Sequence, residues 1–242
     1  MHPDEYHKLA QVEDRMWYFH ALHERIEAAL RDTLGEARGQ VLDAGCGTGG
    51  LIRRLSARHP AWEWTGVDAD PTALRLARDR TAAPLVEASV TALPFAEGAF
   101  DAVVSADVLC NLDDDVAALR EMRRVLRPGG LLVINVPACR WLWSYHDEAV
   151  HSRRRYERAQ LRDALRAGGF EQLRVTYRQT LLLPLIAARR KLLPPPASGS
   201  DVAVSAPVVD AVLRAVTRVE AGLLATCGSL PCGASLFATA LR

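Results

Sequence analysis

Val41-Leu42-Asp43-Ala44-Gly45-Cys46-Gly47-Thr48-Gly49 decides how this 242-residue chain is read. An apolar pair suited to a buried strand runs into Asp43. Glycines at 45, 47 and 49 then interrupt it, and Leu51-Ile52-Arg53-Arg54-Leu55 resumes at helical spacing. The pattern is strand, tight turn, helix. Glycine tolerates positive φ and lets the backbone come close to a ligand, and the free N–H groups of the following helix face the same spot. The loop alone leaves two readings open: a nucleotide-type ligand site, or a plain strand-to-helix turn.

Outward from the loop, short apolar strands alternate with helices. Strands are expected at 41–44, 62–67, 85–87, 101–105 and 131–136, and helices at 51–58, 71–80 and 113–126. Buried strands separated by helices of this length predict an α/β fold built on a doubly wound parallel sheet. Pro71 suits a first helical turn, and Pro128-Gly129-Gly130 is a strong helix stop. Ahead of the core, Leu9, Val12, Met16, Phe19, Leu22, Ile26 and Leu30 recur at three- and four-residue steps, predicting one or two amphipathic helices over 5–34. Trp17-Tyr18-Phe19 within them either packs on the core or lines a pocket.

After Pro137 the composition changes. Trp141 to Asp147 and the run Arg153-Arg154-Arg155-Tyr156 lead to a helix over 160–167, stopped by Gly168-Gly169, and a strand over 170–177. Residues 181–193 are apolar around Arg189-Arg190-Lys191 and read as a cap or dimer helix in preference to a lipid-contacting one. Residues 194–200 read as a linker, 207–224 as a helix and 234–241 as a last strand. Three parts of one domain follow: an N-terminal helical lid (1–38), a Rossmann-like core (39–137), and a substrate-side segment (138–242) whose late strands and helical insertion complete the fold.

Composition excludes more than it selects. Hydrophobic residues make up 49% and charged residues 24%, with a formal net charge of +1, so no global field favours nucleic acid or a membrane. The five cysteines (Cys46, Cys110, Cys139, Cys227, Cys232) lack Cys-x-x-Cys spacing and histidine partners, so neither a metal site nor a disulfide framework is expected. No basic start with an apolar core opens the chain, and no apolar stretch approaches the roughly 20 residues of a spanning helix. A cytoplasmic protein, with a homodimer as an option, is the expectation.

In open α/β sheets ligands bind beyond the carboxyl ends of the strands. After the second strand stands Gly66-Val67-Asp68-Ala69-Asp70. An acid about 20 residues past the glycines is placed to accept ribose hydroxyl protons. Its alternative, a cap for the helix beginning at Pro71, suits Asp70 better than Asp68.

The ordered set formed by residues 41–49, Gly66-Val67-Asp68, Leu93-Pro94-Phe95, Phe100-Asp101-Ala102-Val103-Val104-Ser105 and Leu126-Arg127-Pro128-Gly129-Gly130-Leu131-Leu132 resembles class I S-adenosylmethionine-dependent methyltransferases. The glycine spacing after an aspartate differs from that of a nicotinamide loop. The resemblance implies S-adenosyl-L-methionine as cofactor. Asp43 with the backbone of Ala44, Gly45, Cys46, Gly47 and Gly49 would hold its methionine part, Asp68 the ribose, Ala69 the adenine, and Ala106 the amine through backbone. Ser89 stands where relatives carry an adenine-contacting aspartate, and Val90 follows it. Val108-Leu109-Cys110-Asn111 stands where relatives often read Val-Leu-Glu-His. The chain also resembles a bacterial small-molecule subset through Glu13 and Trp17, Trp143-Ser144-Tyr145-His146-Asp147, His151 and Arg154-Arg155-Tyr156, with Leu22-His23 in place of a common arginine.

Methyl transfer from a sulfonium is an in-line displacement in which the protein aligns the partners and, for a neutral alcohol or amine, removes a proton. His146 and His151 are the candidate bases, each with an alternative as a surface or structural residue; Asp147 would orient one, and Tyr145 and Tyr156 would shape the pocket. Trp141 and Trp143 either close the pocket or pack under the cap, and Arg153 to Arg155 read as a solvated helix start before an anion clamp. The expected activity is methylation of a small-molecule acceptor at oxygen in a biosynthetic pathway. A non-catalytic cofactor-binding scaffold and a nicotinamide oxidoreductase are the alternatives.

Overall fold

The computed structural model describes residues 3–195 and 200–242. The sheet has seven strands: β1 (Gly39–Ala44), β2 (Trp62–Asp68), β3 (Leu85–Glu87), β4 (Phe100–Ala106), β5 (Leu126–Pro137), β6 (Glu171–Arg178) and β7 (Ser235–Leu241). Their order is β3-β2-β1-β4-β5-β7-β6. The first five strands run parallel, and β7 inserts antiparallel between β5 and β6. The expected doubly wound sheet is present, and its late hairpin is interrupted by a helical insertion. The order reverses between β1 and β4, so a crevice opens at their carboxyl ends.

Alternation explains the two layers. Val41, Ala102, Val104, Val133 and Phe237 face α2 (Trp17–Leu34), α3 (Gly50–Arg58) and α4 (Pro71–Arg78), against Leu22, Ile26, Leu30, Ile52, Leu55 and Leu74. Their neighbours Leu42, Val103, Leu132, Ile134 and Ala238 face the opposite core with Leu119 and Met122 of α5 (Asp115–Val125) and Leu161 and Leu165 of α7 (Arg158–Ala167). Side chains of successive strand residues point to opposite faces, so a sheet buried on both sides needs apolar residues at nearly every position.

Helix ends follow local chemistry. Asp70 accepts the Thr72 N–H at 2.8 Å with Pro71 in the first turn, and Asp114 accepts the Ala117 N–H at 2.8 Å. The helix expected over 113–126 ends at Val125, and β5 begins five residues earlier than expected. Leu126 pairs with Phe100, and the Gly129 N–H donates to the Arg242 carbonyl at 3.1 Å, which keeps the Pro128 turn attached to the sheet.

The N-terminal helix α1 (Pro3–Val12) and the first turns of α2 line the cavity at the carboxyl ends of the strands, and α6 (Tyr145–Ala149), α8 (Leu183–Lys191) and α9 (Pro207–Cys227) complete the other wall. The linker expected over 194–200 falls largely on residues 196–199, outside the described residues. Ser200 is buried, and its hydroxyl meets Glu5 while accepting from Lys8 at 3.1 Å. The cysteines are free, Cys46, Cys110 and Cys139 buried and Cys227 and Cys232 exposed. Among the described residues no acidic, cysteine or histidine cluster could hold a metal ion, and no helix is long and apolar enough to cross a membrane.

Candidate functional site

A cavity of about 680 Å³ opens at the switch point, within the size range of small-molecule sites. Its donor side is the glycine loop. Gly45 has φ +92, and a Cβ there would lie 2.2 Å from the Val108 side chain. Only glycine fits the turn and the close approach together. Gly50 opens α3 under a different constraint: an added Cβ would sit 2.1 Å from the carboxyl carbon of Glu13.

Asp43, at the end of β1, is buried and lines the cavity. Among the described residues no group donates a hydrogen bond to its carboxylate. Burial, with Glu13 and Asp68 nearby, pushes its pKa up to about 8. A buried carboxylate without a donor is costly unless a ligand cation or donor meets it. Asp68 is oriented differently: its oxygens accept the Gly47 and Asp70 N–H groups at 2.9 Å each, which ties the end of β2 to the glycine loop. Burial raises its pKa against these hydrogen bonds. Asp70, not Asp68, caps α4, so the competing cap reading of Asp68 falls away.

Gly45, Cys46, Gly47, Ala69, Ser89, Val90, Ala106 and Trp17 line the same cavity, while Ala44 and Gly49 stand behind it. Trp17 is held by its backbone N–H, which donates to Asp210 of α9 at 2.9 Å. The turn between α1 and α2 is tied to the glycine loop by Glu13, Thr48 and Arg80. Thr48 donates to Glu13 at 2.7 Å, and Arg80 donates to both, at 2.9 and 2.8 Å. Burial raises the Glu13 pKa, and Arg80 opposes the rise.

The acceptor side rearranges the expected catalytic set. His146 lines the cavity, and its Nδ1 accepts the Asp201 N–H at 3.2 Å, which leaves the proton of the neutral ring on Nε2. Burial beside Arg190 lowers its pKa to about 4. The ring is therefore a hydrogen-bond donor near neutral pH rather than a strong base. Asp147 does not orient it: one oxygen accepts from Arg155 Nε at 2.7 Å and the other from the Ser144 N–H at 2.9 Å, closing a capping box on α6.

His151 is exposed at φ +57 beyond the end of α6 and does not line the cavity. Tyr156 is buried on the far side of β5, where its hydroxyl donates to Asp115. The structure thus corrects the placement of these two residues, because the turn after α6 points His151 outward and packing draws Tyr156 into the α5 layer. Tyr145 donates to Asp201, Arg153 and Arg154 pair with Asp113 and Asp115, and Arg155 is buried against Asp147. Trp141 is exposed, and Trp143 borders a separate surface depression.

Sequence reasoning missed a polar group at the cavity floor. Asp107, with φ +58 just after β4, accepts the Tyr18 hydroxyl proton at 2.7 Å and the Asn135 amide at 2.9 Å, while Arg178 donates to Asn135 at 3.0 Å. Burial raises the Asp107 pKa. Its position directly after Ala106, at a strand end, was the available signal.

A doubly wound sheet with this strand order, with Asp43 and Asp68 at adjoining strand ends over the cavity, defines the class: the chain has the fold of class I S-adenosylmethionine-dependent methyltransferases. Residues 42–134 match the family model described as a methyltransferase domain. A demethylmenaquinone methyltransferase of Thermus thermophilus is 42% identical over 106 residues, covering 42% of this chain and 48% of that protein. One from Staphylococcus aureus is 39% identical over 106 residues, covering 41% and 44%. The chain spans about half the length of the curated relatives it matches. Among solved structures, a complex of the Haloferax volcanii Trm112 methyltransferase activator with a methyltransferase matches at TM-score 0.64 and 22% identity over 100% of this chain and 97% of that one. The [4+2]-cyclase SpnF matches at 0.61 and 22%, covering 91% and 81%. At such identities the likeness is one of fold, and a cyclase among the matches shows that the fold alone does not name a reaction.

Proposed function

We propose that the protein transfers a methyl group from S-adenosyl-L-methionine to an oxygen of a small-molecule acceptor in a biosynthetic pathway, and that it works in the cytoplasm. The observation that carries the proposal is the buried, donorless carboxylate of Asp43 facing a cavity whose next strand end presents Asp68. Asp43 suits a cationic amino-acid portion, Asp68 retains lone pairs for ribose hydroxyls, and Gly45 and Gly47 admit close backbone approach. When bound, the cofactor supplies a sulfonium methyl already activated for displacement. Residues 1–38 serve as lid, 39–137 hold the donor, and 138–242 shape the acceptor side.

The acceptor-side residues favour a hydroxyl over a carboxylate. The cavity arginines Arg155, Arg189 and Arg190 already have carboxylate partners, Asp147 at 2.7 Å and Asp201 at 3.8 and 3.2 Å. A carboxylate would therefore compete with these partners, whereas a hydroxyl can accept from His146 Nε2 and donate toward Asp107. Asp107, its pKa raised by burial and its carboxylate held by the Tyr18 hydroxyl and the Asn135 amide, is the group placed to take a proton. The relatives named demethylmenaquinone methyltransferase support a small-molecule acceptor.

Calorimetric titration of Asp43→Asn with S-adenosylhomocysteine tests the donor half. A loss of at least about tenfold in affinity with the fold intact is expected, since a charge-assisted contact is worth about 1.5–3 kcal/mol. Unchanged affinity would remove the basis of the proposal.

A further inference from the structure

The helical insertion between β6 and β7 carries nearly all the large apolar surface that the fold leaves uncovered. Eleven large hydrophobic residues are exposed among the described residues, and ten lie between Leu181 and Leu223. The eleventh, Trp141, sits on the short turn that packs against α8. On α9, Leu213, Glu220 and Leu224 face inward. Val208, Val212, Val219 and Leu223 recur at four- and seven-residue steps on the outside, with Val208 76% exposed and Val219 60% exposed. On α8, Leu185 and, just beyond the helix, Leu192 are exposed in the same way.

Charge identifies what this surface meets. Residues 181–230 contain five cations and three acids. All three acids are engaged: Asp201 by Arg190 and Tyr145, Asp210 by Arg214 and the Trp17 N–H, and Glu220 by the Gln179 and Leu181 N–H groups. Lys191 meets only the Trp143 carbonyl, at 2.8 Å, and Arg218 is exposed without an ion pair among the described residues. The face is thus apolar, edged by unneutralised cations and short of free carboxylates. Such a combination suits an anionic lipid headgroup layer over apolar chains. A second copy would bring the same cations against one another.

Continuity with the cavity adds a second argument. Leu185 and Val204 are exposed and also line the cavity, so its mouth opens within this surface. We propose that the outer face of α8 and α9, with the described residues beside them such as Leu192 and Val204, docks the protein on an anionic lipid surface, with the cavity mouth bordering the membrane. The inference goes beyond the methyltransferase reading and, for the outer face alone, prefers the lipid contact that the sequence expectation ranked below a cap or dimer helix; the inner face of α8 still walls the cavity. Its test also separates from that reading, because cofactor affinity is measured independently.

The experiment is co-sedimentation of the full chain with phosphatidylcholine vesicles, with and without phosphatidylglycerol. Binding to the anionic vesicles, weakened by salt, is expected. Val212→Glu/Val219→Glu should bind at least tenfold more weakly, and Arg218→Glu about fivefold more weakly, from the typical contribution of one cation near a charged surface. All these variants should keep the wild-type melting temperature and S-adenosylhomocysteine affinity. Absence of sedimentation with anionic vesicles, or binding indifferent to the valine substitutions, would overturn the proposal. So would a concentration-dependent dimer, dispersed by the same substitutions, in a chain that ignores vesicles.

Discussion

Asp43 and Asp68 end adjacent strands, yet their surroundings set them apart. Asp68 accepts the Gly47 and Asp70 N–H groups and so holds the loop to β2, while Asp43 is buried with no donor among the described residues. The pKa of about 8 for Asp43 has a definite sign for stability. Its folded value lies above the usual 3.9, so the native state holds the extra proton between about pH 4 and pH 8, and this residue's contribution to stability falls as pH rises through that window. The ligand-free Asp43→Asn variant should therefore gain on wild type as pH rises, by about 5 kcal/mol at pH 8 and little at pH 4, read by urea unfolding. A constant difference across the range would contradict the assignment. A cationic ligand must displace that proton, so affinity for S-adenosylhomocysteine should increase with pH up to about 8, and the dependence should flatten in the variant.

His146 carries a separate expectation at the same scale. With its Nδ1 occupied by the Asp201 N–H and its pKa near 4, it acts by donating from Nε2. His146→Gln, which keeps an N–H donor, should retain about tenfold more turnover than His146→Ala, and the wild-type rate should show no limb near pH 6.5. An acidic limb near 6.5 that disappears in both variants would restore the histidine as base. The placement of the residues expected to hold the cofactor was legible because each sits at a fixed offset from a strand end or glycine, and most of them line the cavity. The acceptor residues were not: His146, His151 and Tyr156 lie close in sequence, and only the capping box of α6 and the Tyr156 bond to Asp115 decide which faces the cavity.

Among the elements, the pairing of α1 and α2 with the glycine loop is the most consequential contact. Glu13 enters a buried position that Gly50 leaves open, and Arg80, reaching from the end of α4, neutralises it. Removing one partner strands a buried charge, so Arg80→Ala should cost about 3 kcal/mol. Glu13→Gln added to it should recover much of that loss in thermal or urea unfolding. Additive losses would show that the two residues are not coupled. Helical periodicity over residues 5–34 revealed these helices, and the aromatic run at Trp17 marked the face toward the cavity. Periodicity carried no information on the depth of Glu13, which depends on a glycine 37 residues further on. At β5 the sequence misled in a small way, since a Pro-Gly-Gly stop looks like a loop until Arg242 arrives to pair with Gly129.

For the whole molecule, the two halves differ in how strongly sequence constrains them. Residues 42–134, which match the methyltransferase-domain model, combine a parallel sheet buried on both faces with the glycine loop, so strand pattern and loop spacing point to the same fold. The insertion after β6 carries an acceptor wall and an apolar exterior whose roles depend on a partner surface, and periodicity alone does not distinguish a cap from a docking face. The central claim remains that the cavity at the β1/β4 switch point holds S-adenosyl-L-methionine through Asp43 and Asp68. Titration calorimetry of S-adenosylhomocysteine into wild type and Asp68→Ala tests it most directly. One site per chain in the wild type, weakened at least about tenfold in the variant, is the predicted result; no heat of binding at millimolar ligand, or equal affinity in the two proteins, would contradict it.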